Sequence, residues 1–438
     1  MSLPPALSAY RGLMRLTAPF APMILNRRVK AGKEDPGRLN ERFGKPNSPR
    51  PEGVLVWLHG ASVGESLMLA TLVEELGGLH PQLNFLVTTG TLTSAAMMEK
   101  RLASNALHQF VPLDTQAAVT GFLNHWQPDL AVFAESEIWP NLILETAHRG
   151  TPMALINARM NEKSLRNWRR RPDTARWLFA CFDWIGAADN RTRDGLENLI
   201  GEPVPLVGNL KLEAKPMPPE PHALSRVKVA LAGRKVWLAA STHPREESIM
   251  LSANAMLKAR HPNALLILAP RHPERAGEIE KLMKRQDHQW ARRSRDEMPQ
   301  SQDDVWLADT LGEMALWYSV APASVIAGSL RNDIGGHNPI EATQAGSSII
   351  SGEHVASFQD VYDAYRTQRA VIWAEDAHSI AEAVEAIWDH RGPSIEQAQA
   401  AVRAASGGAL ERTLTALTTL LAGQDEDEDA QKAGEAEA

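Results

Sequence analysis

Several stretches of this chain gather carboxylates, hydroxyls, imidazoles and guanidinium groups just behind short apolar runs. The first is His59-Gly60-Ala61-Ser62-Val63-Gly64-Glu65-Ser66. Its glycines permit a sharp turn, and Glu65 falls at the opening of a helical pattern. A carboxylate there can act as a general base toward a hydroxyl. Equally, it can cap the helix, since acidic groups suit a first turn. Gly60-Ala61-Ser62-Val63-Gly64 also has the spacing of a nucleophile elbow, a reading that would leave the cationic loops described next without a purpose. The second stretch is Glu135-Ser136-Glu137-Ile138-Trp139-Pro140-Asn141. Glu135 and Glu137 beside a tryptophan suit the orientation of a sugar acceptor, or mark one more capped helix start.

The second half carries Ser241-Thr242-His243-Pro244-Arg245-Glu246-Glu247 and Pro270-Arg271-His272-Pro273-Glu274-Arg275. Hydroxyls, backbone amides and an arginine at helix N-termini make a phosphate cradle. Two such loops in one half of the chain favour phosphate over isolated surface ion pairs. Further on come Gly328-Ser329-Leu330 and Gly335-Gly336-His337-Asn338-Pro339-Ile340-Glu341. Paired glycines allow close backbone approach to a ligand. Asn338 followed by Pro339 predicts a helix start. Glu341 then either completes a capping box or accepts the hydroxyls of a ribose. Gly312-Glu313 is a further candidate for nucleotide contact.

Other chemistries find little support. The Asp-x-Asp spacing occurs only in the acidic tail, and there is no Cys-x-x-Cys or His-Glu-x-x-His, so no metal is expected. A Walker loop and a Gly-x-Gly-x-x-Gly after the first strand are missing, which disfavours nucleotide hydrolysis and hydride transfer. No organic cofactor is implied. The net charge of −7 over 438 residues argues against a nucleic-acid partner. The lone Cys181 cannot form an internal disulfide.

These loops need a scaffold that brings strand ends together. Apolar runs Val54–Leu58, Phe85–Thr88, Leu130–Ala134, Met153–Ile156 and Trp184–Ala187 alternate with helical patterns, the mark of a parallel α/β sheet. After the proline-dense segment Lys215-Pro216-Met217-Pro218-Pro219-Glu220-Pro221, a second series follows: Val236–Ala240, Ala264–Leu268, Val305–Leu307, Ser324–Ala327, Ser348–Ile350 and Ala370–Trp373. The expected division is 1–35, an N-terminal membrane-associating segment; 36–213, a Rossmann-like acceptor domain; 214–222, a linker; 223–423, a Rossmann-like nucleotide-sugar domain; and 424–438, a disordered acidic tail. No run reaches the ~18 apolar residues of a spanning helix. Leu16–Leu25, flanked by Arg11, Arg15, Arg27, Arg28 and Lys30, either lies on an anionic membrane face or packs on the domain as a soluble helix. The basic, Trp-bearing run Arg166-Asn167-Trp168-Arg169-Arg170-Arg171 is open to the same two readings: lipid-phosphate contact or a solvated helix face.

Taken in order, His59-Gly-Ala-Ser-Val-Gly-Glu65, Glu135-Ser-Glu-Ile-Trp-Pro-Asn141, Asn157-Ala-Arg159, Gly208-Asn-Leu-Lys211, Ala240-Ser-Thr-His243, Pro270-Arg-His-Pro-Glu-Arg275, Asp309-Thr-Leu-Gly-Glu313 and Gly335-Gly-His-Asn-Pro-Ile-Glu341 resemble the Kdo (3-deoxy-D-manno-octulosonic acid) transferases of lipopolysaccharide core assembly. The resemblance implies a GT-B fold, two Rossmann-like domains facing across a cleft. It implies CMP-Kdo as donor, a lipid A precursor (lipid IVA) as acceptor, inversion without a metal, and attachment to the cytoplasmic face of the bacterial inner membrane. Carried onto these positions, it makes Glu65 the base. It gives Ser241, Thr242, Arg271, His272, Gly312, Glu313, Gly336, Asn338, Glu341 and Lys211 to the donor nucleotide, and Glu135, Glu137 and Arg159 to the acceptor. The alternative on the same fold is a GT-B transferase or epimerase using another nucleotide sugar. Four places depart from the family pattern, one of them an N-terminal anchor weaker than a full hydrophobic helix. Arg245 stands where glycine is common. Asn161-Glu162-Lys163-Ser164 replaces Ser-x-Arg-Ser. Ser351–Phe358 lacks the usual proline and asparagine.

Overall fold

The computed structural model describes residues 3–436, with side chains to Gly423. The expectation of a disordered tail over 424–438 concerns residues outside the described side chains. The chain divides into two compact units, one of Met1–Ala214 with Ser406–Ala438, the other of Lys215–Ala405.

The first unit is built on β1 (Leu55–His59), β2 (Asn84–Thr89), β3 (Ala106–Phe110), β4 (Leu130–Ala134), β5 (Met153–Ala158) and β6 (Trp184–Ala187). They form one parallel sheet in the order β3-β2-β1-β4-β5-β6. Continuous apolar strands such as Leu130-Ala131-Val132-Phe133-Ala134 are buried on both faces because helices cover each side. Trp57, Phe122, Trp126, Phe133 and Leu155 form part of the core. β3 was not among the expected strands. His108 and Gln109 interrupt its apolar run, and at the sheet edge it needs less burial.

The second unit contains β7 (Lys235–Thr242), β8 (Ala264–Pro270), β9 (Trp290–Arg292), β10 (Val305–Leu307), β11 (Ala323–Ile326), β12 (Ser348–Ser351) and β13 (Val371–Trp373). The sheet order is β13-β12-β11-β7-β8-β10-β9, again parallel. Trp237, Leu251, Leu266, Leu268, Val325 and Ile380 pack its centre. β9 also escaped the sequence reading, being an edge strand of three residues with no apolar run.

The unit boundary differs from the expected 223–423 span. At Ser406 the chain rejoins the first unit, where the Ser406 carbonyl accepts from Asn209 N at 3.0 Å. The last helix, Ala409–Ala436, follows. Leu410 N donates to Glu213 Oε1 at 3.0 Å, Leu417 is buried, and His80 Nε2 lies 3.3 Å from Thr418 Oγ1. Gly208, at φ +100°, makes the close approach possible: a Cβ there would stand 1.9 Å from the Ser406 oxygen.

At the other end, helices Pro5–Thr17 and Ala21–Lys30 are separated by a tight turn at Ala18–Phe20. Leu7 and Leu25 are buried, while Leu13, Leu16, Phe20, Met23 and Ile24 are exposed. Among the described residues no helix is long and apolar enough to cross a membrane.

Candidate functional site

In a doubly wound sheet, ligands bind beyond the carboxyl ends of the strands where the strand order reverses. In the first unit that point lies between β1 and β4, and the loops after them carry both carboxylate clusters. Helix Val63–Leu79 starts there, with Ser62 as its N-cap, accepting from Glu65 N at 3.3 Å. The Glu65 carboxylate turns back on the same loop. It accepts from Ala61 N at 2.8 Å and from the Ser62 hydroxyl, and the residue is only 6 % exposed. The capping geometry is therefore formed. A carboxylate offers about four lone-pair sites, so two acceptor contacts leave room for a substrate proton.

Just after β4 and near the end of β5 the backbone is held in unusual conformations, Glu135 at φ +55° and Asn157 at φ +48°. Such residues cluster where surrounding contacts over-determine them. Asn157 bridges two segments, donating to Glu135 Oε1 at 3.1 Å and accepting from Leu210 N at 2.9 Å. Lys211 Nζ pairs with Glu135 at 2.7 Å and lies beside Gly64, whose added Cβ would be 3.6 Å from it. Lys211, expected in the donor group, is paired with Glu135. Trp139 Nε1 donates to Glu137 Oε2 at 2.8 Å. Burial pushes the Glu137 carboxyl up, but the His59 ring and the Trp139 indole outweigh it and leave it below its ordinary value. Arg159 is exposed, 3.8 Å from Asp189, and its carbonyl accepts from the Ser136 hydroxyl at 2.6 Å.

In the second unit the order reverses between β7 and β11. The loops after these strands are clipped together by Glu246, which is fully buried. Its carboxylate accepts from Gly328 N at 2.8 and 2.9 Å, from His243 N at 3.0 Å and from Leu330 N at 3.3 Å. Glu246 opens helix Glu246–Arg260, preceded by Arg245 at φ +81°. Glycine accepts that conformation without strain, a physical reason for glycine at this position. Ser241 is also left-handed, at φ +57°.

Above this clip sits a cluster of cations and imidazoles. His243 Nε2 lies 2.8 Å from His337 Nε2, with the rings stacked at 5.1 Å. His272 packs edge-on to His243 at 6.2 Å. Burial first, then His272, Arg271, Arg275 and Arg331, hold His243 below its ordinary value. Burial, His243 and Arg271 bring His337 down to about 4. A positive field that discourages its own imidazoles from charging is a field that attracts an anion. The Arg271 side chain is exposed and has no partner among the described residues, so it is free to meet one. Gly335 and Gly336, at φ +89° and +79°, carry the backbone tightly past Ser357 and Val355.

Several other expected donor residues have partners within the second unit. Thr242 is buried, with its hydroxyl 3.4 Å from Glu247, which also binds Arg275 at 2.7 Å; it supports the loop from beneath. His272 stands exposed beside Glu274 at 3.4 Å. Glu313 is engaged by Arg293 at 2.6 Å and by the Thr310 hydroxyl, next to Gly312 at φ +80°. The expected cap at Asn338 is shifted: the helix spans Ile340–Gln344, and Asn338 Oδ1 accepts from Ile340 N at 3.1 Å. Glu341 does not close a capping box. It reaches solvent yet is crowded enough that desolvation raises its carboxyl. Sequence reasoning quoted His243, His337 and Glu246 within motifs but gave them no role. The separation of 94 positions between the two histidines hid their pairing.

Comparison with known proteins adds an independent finding. A family model described as 3-Deoxy-D-manno-octulosonic-acid transferase (kdotransferase) matches residues 37–214. The chain is 33% identical over 380 residues to a 3-deoxy-D-manno-octulosonic acid transferase of Rickettsia bellii (strain RML369-C), covering 87% of this chain and 90% of that protein. It is 31% identical over 354 residues to the Haemophilus influenzae protein of the same name, covering 80% and 82% respectively. Among solved structures, UDP-GlcNAc 2-epimerase from Neisseria meningitidis aligns with a TM-score of 0.52 at 13% identity, over 84% of this chain and 100% of that one; this likeness shows the fold alone.

Proposed function

The chain belongs to the 3-deoxy-D-manno-octulosonic acid transferase family, a family of glycosyltransferases on a GT-B-type α/β fold, and from that premise we propose that it moves Kdo from CMP-Kdo to a lipid A precursor. The observation that carries this reading is the cationic cluster at the β7/β11 reversal point, clipped by Glu246 and open at Arg271. The leaving group of a CMP-sugar is a phosphate that gains charge as its bond to the anomeric carbon breaks. Fixed cations and amides aimed at that charge stabilise the transition state. Arg271 and the Ser241 turn meet the phosphate, while Asn338 and Glu341 hold the ribose.

On the acceptor side, a sugar hydroxyl attacks the anomeric carbon as the bond to CMP breaks, inverting that centre, and its proton passes to Glu65. Glu137, Glu135 and Arg159 orient the acceptor, with Lys211 keeping Glu135 in place. No metal step is needed, since arginine and backbone amides supply the positive charge. The exposed Leu13, Leu16, Phe20, Met23 and Ile24 beside Arg11, Arg15, Arg27 and Lys30 suit a helix lying on an anionic bilayer, here the cytoplasmic face of the inner membrane.

The test is transfer by the purified protein from CMP-Kdo to a lipid A precursor, read by product mass. Product with one or more added Kdo units is expected. A Glu65→Gln variant should fold, bind CMP and lose about 10²–10⁴-fold in rate; unchanged turnover would remove Glu65 from the mechanism. Failure with CMP-Kdo alongside activity with a UDP- or GDP-sugar would transfer the fold to another donor.

A further inference from the structure

His59 is a buried titratable residue to which the chemistry above gives no part. It ends β1, is 1 % exposed and packs edge-on to Phe133 with ring centroids 5.9 Å apart. Its Nδ1 faces the Thr88 carbonyl at 3.2 Å and the Thr88 hydroxyl at 3.0 Å, and that hydroxyl accepts from Trp57 Nε1 at 2.9 Å. Its Nε2 is buried without a hydrogen-bond partner and points to Glu137 Oε2 at 3.7 Å. Nε2 faces a carboxylate oxygen and so is placed to donate. Nδ1 meets Thr88, whose carbonyl can accept from it and whose hydroxyl lies within reach of both Nδ1 and the Leu58 carbonyl.

Buried donors are almost always satisfied, and this one is about 1 Å short of the carboxylate, given a normal N–H···O length near 2.9 Å. Glu137 sits at the boundary. Its Oε2 is anchored by the exposed Trp139 indole, and its side chain is partly open to solvent. Asp114, the other carboxylate sensing His59, is committed to Tyr10 at 2.7 Å and to Asn141 N and Leu142 N at 3.1 and 2.8 Å.

We infer that His59 is a positioning residue for the acceptor: it draws Glu137 into the orientation in which that carboxylate accepts a hydrogen bond from a hydroxyl of the incoming sugar. This rests on the transferase reading and extends it, because His59 acts through Glu137 and touches neither substrate. Closing the gap satisfies Nε2 and leaves the outer carboxylate oxygen aimed at solvent, beside an aromatic face on which a sugar ring can lie.

Two substitutions separate this role from packing. In His59→Asn the side-chain amide reaches the Nδ1 position and keeps the Thr88 contact but cannot reach Glu137. In His59→Gln the amide extends to the Nε2 position. Steady-state kinetics of the full chain, varying lipid A precursor and CMP-Kdo separately, should give His59→Asn an acceptor KM raised about tenfold, equivalent to one lost hydrogen bond. The CMP-Kdo KM should be unchanged, and His59→Gln should recover most of the acceptor effect. Glu137→Gln should raise the acceptor KM similarly, and combining it with His59→Asn should add little. The inference is overturned if Asn and Gln behave alike, if the effects add, or if both KM values move together. Should either His59 variant fail to fold, Glu137→Gln decides, because a wild-type acceptor KM there also overturns it. Absence of transfer by the wild-type protein would instead strike the transferase reading.

Discussion

Replacing Glu246 with glutamine keeps the side-chain shape and removes one charge at the point where the loops after β7 and β11 are tied. Three backbone amides, from His243, Gly328 and Leu330, converge on the two carboxylate oxygens. Glutamine offers one oxygen. Turned toward Gly328 and Leu330, it keeps those bonds but sets its NH2 against the His243 N–H. Two charge-assisted bonds become neutral, a loss of about 1 kcal/mol each, and one buried amide loses its partner at about 1–3 kcal/mol. Burial works against the carboxylate and raises its pKa, so removing the charge recovers part of this. The net expectation is a loss of about 2–4 kcal/mol, concentrated in these loops. Amide hydrogen exchange should show peptides containing His243 and Gly328 opening faster while β1–β6 remain protected. Calorimetry should show CMP binding at least about tenfold weaker, or 1.4 kcal/mol. Wild-type exchange at Gly328 together with wild-type CMP affinity would refute the clip as the organiser of the loops after β7 and β11.

Two further outcomes follow from the same unit. His337 is held at about 4, against an ordinary value near 6.5, so between these pH values the unfolded chain binds more protons than the folded one. Its neutral form is favoured above pH 6.5, and stability falls as pH drops through 6.5 toward 4. For a half-exposed ring, solvent screening limits the effect to about 1 kcal/mol. Thermal melts of wild type and His337→Gln should therefore diverge below pH 6.5, and parallel curves would contradict the arrangement. Arg245→Gly should raise the unfolding free energy, read by chemical denaturation, by up to about 1 kcal/mol. Relief of a non-glycine at φ +81° exceeds the added freedom of the unfolded chain; the same variant should bind CMP slightly less well for want of one cation.

The strands were readable because a parallel sheet buried on both faces demands unbroken apolar runs, and runs such as Ala264–Leu268 are hard to mistake. The edge strands β3 and β9 were not, because an edge tolerates His108, Gln109 and Arg292. Motif positions pointed to the loops proposed to carry chemistry. They could not tell which side chains the loops use on themselves. Thr242 props Glu247, Glu313 holds Arg293, and Lys211 neutralises Glu135, all through contacts between residues distant in sequence or turned inward. The association of residues after Ser406 with the first unit was equally hidden. Helix Ala409–Ala436 meets the first unit through scattered contacts such as Leu410 N to Glu213 and the buried Leu417, and nothing in its sequence names that partner.

That return has a consequence for dissecting the molecule. Lys215–Ala405 is, in chain topology, an insertion within a host whose own sequence resumes afterwards. A fragment ended in the proline-rich segment would lose the backbone bond from Asn209 to Ser406, the Glu213 anchor and the apolar cover given by Leu417. Excising Lys215–Ala405 therefore takes two cuts, and an independently expressed first unit requires its C-terminal helix to be spliced back onto Ala214.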